Sequence, residues 1–514
     1  MNMLRIILAV LLFGCSCSSE TKETVNLKVS QKSLSFAVDG GTAKFNITAG
    51  NVPRVQSRAS WCTIVAVANT VDNEYMVTVA AAENSGEARQ TELSVVCDGQ
   101  SNVVKVVQDG VQIPEVEEPA DDSDKVFLGV DIPQRADTAP WQIAEKLGIG
   151  FNLGNQMDAN NNGYADETCW GNSRATQTTF NKIKEAGFSS VRIPVTWLGH
   201  IGPAPEYEID EAWLSRVVEL VGYAEKAGLN AIVNMHHDGA DSAHWLDIKN
   251  AALDPELHQT IIEQIEAMWT QIAEAMQDFG DFLILESFNE IQDGGWGWGQ
   301  NLQDGGQQYK CLNEWNGAFV NAVRAVGGNN ATRYLGISGY SANPNLTINH
   351  LQLPSGVPSE NLLISVHCYD PYTYTLEAKH SEWGYTAMTS KKPSGDNEKD
   401  LLNVFKSLYD GYVSKGIPVY MGEFGCVNRS TVREQEFQRY YLKYYVKLAK
   451  KFGIPLFIWD NGARGAGKEK HAFIDHGTGE YCSDEAKAAI EALIDSYEND
   501  HTLGKIYRNA PYNN

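Results

Sequence analysis

The sequence predicts an α/β barrel of eight strand-and-helix units, preceded by a small all-β sandwich. Three observations carry that prediction. From about residue 128 to the end, short apolar runs alternate with amphipathic stretches of helical period. Several of those stretches close on a Gly just before the next apolar run, as at Ala186-Gly187, Ala227-Gly228, Lys415-Gly416 and Phe452-Gly453; Gly tolerates the left-handed turn that ends a helix. Residues 25–110 instead alternate apolar and polar residues with a period of two between turn signals.

Composition sets the bounds. At 514 residues and 43% hydrophobic, the chain has room for two to four domains with sizeable cores. Asp and Glu outnumber Lys and Arg by 65 to 41, and a net charge of −24 disfavours a phosphate-binding surface, so nucleic acid is not an expected partner. Twelve Trp and 22 Tyr suit a neutral ligand held by stacking.

In chain order, Arg5 precedes the apolar run Ile6 to Phe13, too short to span a bilayer comfortably but suited to a signal peptide. Leu12-Phe13-Gly14-Cys15 resembles the bacterial lipobox, with Cys17 a poorer match. That resemblance implies export, lipidation at Cys15 and a signal and anchor over residues 1–20. No later segment reads as transmembrane, so the membrane is expected as a partner through the lipid anchor only. The seven remaining cysteines have no short metal-ligand spacing and read as packing thiols, with a Cys62–Cys97 disulfide left open.

The β region runs through Leu34 to Val38, Ala43 to Ile47, Tyr75 to Val79 and Leu93 to Val96, with turns at Gly40-Gly41, Asn84-Ser85-Gly86 and Asp98-Gly99. This spacing fits a small antiparallel sandwich. It resembles the BACON family of immunoglobulin-like modules, with Trp61-Cys62 on a middle strand and a closing Val106-Val107-Gln108. Trp61 is expected to fill the core, and the module reads as a spacer rather than a binder. Residues 111–127, acidic and proline-bearing without periodicity, form a linker.

Eight strands follow, at Ile149–Leu153, Ser190–Ile193, Ala231–His236, Phe282–Glu290, Tyr334–Ile337, Leu363–His367, Pro418–Glu423 and Pro455–Trp459. Helical patterns lie between them, as in Leu214 to Ala227 and Phe437 to Phe452. Eight units in under four hundred residues argue for a TIM (β/α)8 barrel, whose active site gathers at the C-terminal ends of its strands. The polar residues falling there are Asn155, Arg192, His236, His237, Asn289, Glu290, His367, Tyr369 and Glu423, with Trp459. Glu290 and Glu423 can face each other across the mouth, and paired carboxyls flanking a sugar bond are the machinery of glycoside hydrolysis. Glu286, deeper on the same side as Glu290, needs a partner and reads as a structural ion pair.

No metal and no cofactor is expected. His236-His237-Asp238 would place adjacent imidazoles on opposite faces of a strand. Asp158 to Gly163 begins like a calcium loop, but Cys169 stands where the bidentate Glu belongs, so it reads as a polar loop.

The motifs Leu285-Glu286-Ser287-Phe288-Asn289-Glu290, Met421-Gly422-Glu423-Phe424-Gly425, Arg192-Ile193-Pro194, His367-Cys368-Tyr369 and Phe457-Ile458-Trp459-Asp460 resemble glycoside hydrolase family 5. Phe151-Asn152-Leu153-Gly154-Asn155 with Glu167 to Asn172 resemble its subfamily 4. The family's usual Pro after the catalytic Glu is here Ile291. The resemblance implies Glu290 as general acid/base and Glu423 as nucleophile of a retaining mechanism, with Arg192 and Tyr369 supporting Glu423. It also implies Asn289 donating to the sugar 2-hydroxyl, His236 and His367 orienting substrate and carboxylates, and Trp459 flooring the reacting sugar. Aromatic subsite candidates are Trp170, Trp197, Trp245, Trp296, Trp298, Tyr372 and Trp383, with Trp296 and Trp298 on the leaving side. A lipoprotein with a BACON spacer resembles the surface endo-xyloglucanases of bacterial polysaccharide-utilisation systems. That implies a β-glucan partner, xyloglucan first, and a monomer on the outer membrane of a Gram-negative cell. Cellulose or mixed-linkage glucan is the alternative substrate, and a non-catalytic glycan-binding protein the alternative of another class.

Overall fold

The computed structural model describes residues 25–84, 88–110, 129, 132–239 and 244–512. Cys15 and its signal run, Ser85-Gly86 and the linker lie outside the described residues. The chain divides into two compact units at residues 118 and 119.

In the first unit, eight strands between Lys28 and Gln108 form two four-stranded sheets over one hydrophobic core. The period-two pattern builds it: along Glu74–Ala81, the side chains of Tyr75, Val77, Val79 and Ala81 are buried while those between them are half-buried. Asp98-Gly99, both at positive φ, form the tight turn between Arg89–Cys97 and Gln100–Gln108. Ser33–Phe36 runs parallel to Gln100–Gln108, so this sheet is mixed rather than wholly antiparallel. Cys62 opens an edge strand, not a middle one. Trp61 lies at the rim of the core, with the Arg89 guanidinium 4.5 Å above its ring; a cation can cover the ring face that a core would otherwise take. Cys62 and Cys97 are free thiols, and the Cys97 thiol donates to the Asn51 carbonyl.

In the second unit, parallel strands Ile149–Leu153, Ser190–Ile193, Asn230–Val233, Leu283–Glu286, Leu335–Ser338, Leu362–His367, Val419–Phe424 and Leu456–Asp460 close into a barrel, the last pairing with the first. Their residues are buried almost throughout, because helices cover the sheet from outside and side chains fill it from within. Glu211–Ala227 shows how such a helix is specified: the Asp210 carboxylate accepts the Trp213 N–H at its start, Val217, Leu220, Val221 and Ala224 are buried, and Gly228 ends it at φ 70°.

Two elements differ from the sequence expectation in ways that matter for the site. The third strand stops at Val233 and the fourth at Glu286, so His236, Asn289 and Glu290 stand in the loops beyond the ladder. The Asn289 N–H bonds the Met235 carbonyl, tying those two loops together. Buried Phe288 prolongs the apolar composition of the strand past its end. The Asp158 to Gly163 loop is a hairpin in which Asn160–Asn161 pairs with Tyr164–Ala165 around Asn162-Gly163. No helix among the described residues is long and apolar enough to cross a membrane.

Candidate active site

The site is organised around Arg192 of the second barrel strand, fully buried, with its hydrogen-bond partners brought in by the first, fourth and seventh strands. All five of its N–H groups are used. Nε and Nη2 bond the two oxygens of Glu286 at 3.1 and 2.7 Å. Nη2 also bonds Asn289 Oδ1 at 2.9 Å, while Nη1 bonds Asn152 Oδ1 at 3.0 Å and Glu423 Oε1 at 2.8 Å. Burial opposes the charge on Arg192, but the carboxylates of Glu286 and Glu423 outweigh it and hold the guanidinium above its ordinary pKa. Glu286 is saturated in turn. Besides Arg192 it accepts from Asn234 Nδ2 at 3.0 Å and from the Tyr420 hydroxyl at 2.5 Å, and Arg192 lowers its pKa against the effect of burial. Glu286 is thus the buried counter-ion of Arg192.

Glu423 receives a second donor, the Tyr369 hydroxyl, at 3.0 Å from Oε2. Burial and the Glu423 charge hold the Tyr369 phenol well above its ordinary range, so it remains a donor. His367 Nδ1 lies 2.7 Å from Glu290 Oε1 and 3.7 Å from Glu423 Oε2. Burial disfavours charge on this ring, but the two carboxylates prevail and raise its pKa. One oxygen of Glu290 and one of Glu423 lie within 4.8 Å of each other, with His367 between them.

His236 has a fixed tautomer. The Asn234 Oδ1 accepts the Val195 N–H, so its amide nitrogen is the group that faces His236 Nδ1 at 3.2 Å. Nδ1 must therefore accept, and the ring proton sits on Nε2. Burial, with the charges of His237 and Arg192, keeps the ring neutral by holding its pKa well below that of a free histidine. Its Nε2–H is 3.9 Å from Glu423 Oε1, an unspent donor at the edge of the reacting centre. The Trp459 indole stacks 5.9 Å from this ring at an interplanar angle of 4°.

The adjacent histidines do not point apart. Both Nε2 atoms approach Asp158 Oδ2, at 4.0 Å from His236 and 3.6 Å from His237, because the strand alternation that would separate them ends at Val233. The trio has the outline of a metal site. Its chemistry does not fit one, since a metal needs a lone pair on His236 Nε2 and Asn234 places the proton there. The Asp158 carboxylate already accepts the N–H groups of Asn155 and Gln156.

Among the aromatic candidates, Trp298 is 86% exposed and Trp296 53%, and Trp170 and Tyr372 are also exposed. Trp197 and Trp383 are fully buried, Trp383 within a ring cluster of Tyr440, Tyr441 and Tyr444, so these two are core rather than subsites. Trp245 is half-buried and donates to Asp238. The loop of Trp296 and Trp298 is held by Asp293, whose carboxylate accepts from the Gly295 and Asn301 N–H groups and from Gln308. Asn155 enters through its backbone, at φ 54°. Asn152, Asn234 and Tyr420 were not singled out from sequence. Their signal was there, as polar residues in otherwise apolar strands or at a strand's end.

Comparisons with known proteins place the chain's two regions in families. The family described as Cellulase (glycosyl hydrolase family 5) matches residues 154–465, and the Viral BACON domain matches residues 26–111. Endoglucanase A of Paenibacillus barcinonensis is 35% identical over 342 residues, 63% of this chain and 83% of that enzyme. The xyloglucan-specific endo-beta-1,4-glucanase of Bacteroides ovatus is 28% identical over 467 residues, 87% of this chain and 88% of that one. The solved GH5-4 broad specificity endoglucanase of Bacteroides salanitronis is 50% identical with a TM-score of 0.69, covering 72% of this chain and 98% of its own. With a family match over most of its barrel and catalytic-domain relatives of this identity, the chain belongs to glycosyl hydrolase family 5, and a BACON domain precedes its catalytic barrel.

Proposed function

We propose that this endo-β-1,4-glucan hydrolase works by retention, with Glu423 as nucleophile and Glu290 as general acid/base, and that xyloglucan is its preferred substrate. The separation of the two carboxylates carries the mechanistic reading. Oxygens within 4.8 Å suit direct attack on the sugar, where about 5 Å is typical, and leave too little room for the intervening water of inversion. Glu423 has two donors on it, Arg192 and Tyr369, as a nucleophilic carboxylate needs. Glu290 is the more open of the pair and is oriented by His367.

In the first step Glu423 bonds to the anomeric carbon while Glu290 gives its proton to the departing glycosidic oxygen. Water then attacks the same carbon, gives its proton to Glu290 and releases Glu423. Arg192 holds Asn289 Oδ1, so the Asn289 amide N–H₂ is left to donate to the 2-hydroxyl. His236 Nε2–H serves a second hydroxyl, and Trp459 lies beneath the ring. Trp296 and Trp298 receive the leaving side of the chain.

The xyloglucan preference draws on the Bacteroides ovatus relative, which matches across both units. We place the enzyme, as a monomer, on the outer surface of a Gram-negative cell by a lipid at Cys15, with an immunoglobulin-like BACON module as spacer. A reducing-sugar assay on xyloglucan, a soluble cellulose derivative, mixed-linkage glucan and mannan tests the ranking. The highest kcat/KM is expected on xyloglucan, and a higher value on mixed-linkage glucan would overturn the preference while leaving the mechanism standing.

A further inference from the structure

We propose that Tyr420 is a positioning residue which, through Glu286 and Arg192, sets how firmly the guanidinium holds the Glu423 carboxylate; this rests on Glu423 being the nucleophile. Tyr420 lies on the seventh strand three residues before Glu423, and its ring is fully buried inside the barrel. Its hydroxyl meets Glu286 Oε2 at 2.5 Å. The space for that hydroxyl is made by Gly336 of the fifth strand, where a Cβ would stand 2.4 Å from it. An aliphatic side chain would fill this layer without burying a hydroxyl, whose desolvation is made good here by Glu286.

The coupling follows from the bond count. Arg192 is one cation shared between two carboxylates, and Glu286 takes two of its N–H groups while Glu423 takes one. The more concentrated the charge on Glu286, the more of the guanidinium it claims. Tyr420 and Asn234 fill the two remaining acceptor positions of Glu286 and draw off part of that charge. Each leaves Arg192 more available to Glu423.

The full chain carrying Tyr420→Phe or Glu286→Gln separates this wiring from packing when kcat/KM is followed against pH on a soluble glucan. Its acidic limb reports ionisation of the nucleophile. Tyr420→Phe, which concentrates charge on Glu286, is expected to move that limb up by about half a pH unit and lower kcat several-fold. Glu286→Gln removes the competitor and is expected to move the limb the other way. Gly336→Ala, which displaces the phenol from its socket, should follow Tyr420→Phe and serves where Glu286→Gln fails to fold. Limbs that stay in place, a Tyr420→Phe or Gly336→Ala limb that moves down, or a Glu286→Gln limb that moves up overturn the proposal and reduce Tyr420 to packing. Labelling the wild type with a 2-deoxy-2-fluoro-β-cellobioside and mapping the modified peptide tests the underlying assignment separately. A label on Glu423 with unmoved limbs sinks only the wiring, whereas a label on another residue sinks both.

Discussion

Of the four arginines buried in the catalytic barrel, Arg192 and Arg333 each spend all five of their N–H groups. Arg192, near the C-terminal ends of the strands, faces carboxylates and side-chain amides. Arg333, ahead of the fifth strand, faces the carbonyls of Met276, Phe279, Gly280 and Leu283 and the side chain of Asn330. Those carbonyls belong to the chain that leaves Pro255–Ala275 and enters the fourth strand, groups that a helix end leaves without partners. Without a carboxylate bonded to it, Arg333 has its pKa pushed down to about 10 by burial and by neighbouring Arg324. The same side chain is a clamp for backbone at one end of the barrel and a shared counter-ion at the other. The division matches the way such barrels separate stability from chemistry.

Substitutions can break that comparison, beginning with the proposed catalytic pair, of which Arg192 holds Glu423 directly. Glu423→Ala and Glu290→Ala are each expected to lower kcat/KM on a soluble glucan by about 10⁴-fold, near 5 kcal/mol, with unfolding midpoints close to wild type. Full activity in either would remove that residue from the mechanism. Arg192→Met should cost both activity and stability, about 4 kcal/mol of the latter, because Glu286 is left buried without its cation. Arg333→Met should lower stability by about 3 kcal/mol through stranded carbonyls and leave kcat of the folded fraction unchanged. If thermal unfolding and kcat respond alike in these two variants, the contrast between the arginines is wrong.

The pH axis sharpens the picture next. Burial and Arg429 push His471 down to about 3, and His236 also lies well below the ordinary histidine value of 6.5. Both pKa values are depressed in the folded state, so the stability they contribute is present above pH 6.5 and lost as pH falls toward the folded values. Each should remove about 1.4 kcal/mol per pH unit over that window. Urea midpoints at pH 7, 5.5 and 4.5 check it by comparison with His471→Leu, which should make stability about 1.4 kcal/mol per pH unit less sensitive to acid over that window. The smallest effect is expected at the exposed rim, where Trp298→Ala should raise KM for the polymer several-fold, about 1 kcal/mol, with kcat little changed. An unchanged KM would remove Trp298 from the leaving side.

Much of this site was legible in the sequence because each residue proposed for the chemistry sits next to or within a periodic apolar run that marks a strand. Arg192 lies within such a run, Glu423 near the end of one and Glu290 four residues past another. Strand ends were the weak point. The run Phe282 to Glu290 keeps a strand's composition through Phe288, yet the hydrogen-bond ladder stops at Glu286, and composition does not record where a neighbouring strand ceases to pair. The same blindness put His236 and His237 on opposite faces when the loop turns both toward Asp158. Trp197 and Trp383 read as subsites because an aromatic in a loop looks the same whether the loop folds it inward or leaves it in solvent.

By itself the sequence determined the eight-unit barrel and the β module before it, and it singled out Glu290 and Glu423 as the proposed carboxylate pair, since periodicity, turn residues and motif order are local properties of the chain. Only the tertiary structure decided that Arg192 divides itself between Glu286 and Glu423, that Asn234 fixes the His236 proton on Nε2, and that Gly336 makes room for the Tyr420 hydroxyl. The Arg192 to Glu423 bond joins residues 231 positions apart. Which polar groups share one dry layer is set by closure of the barrel, and no local pattern along the chain carries that information.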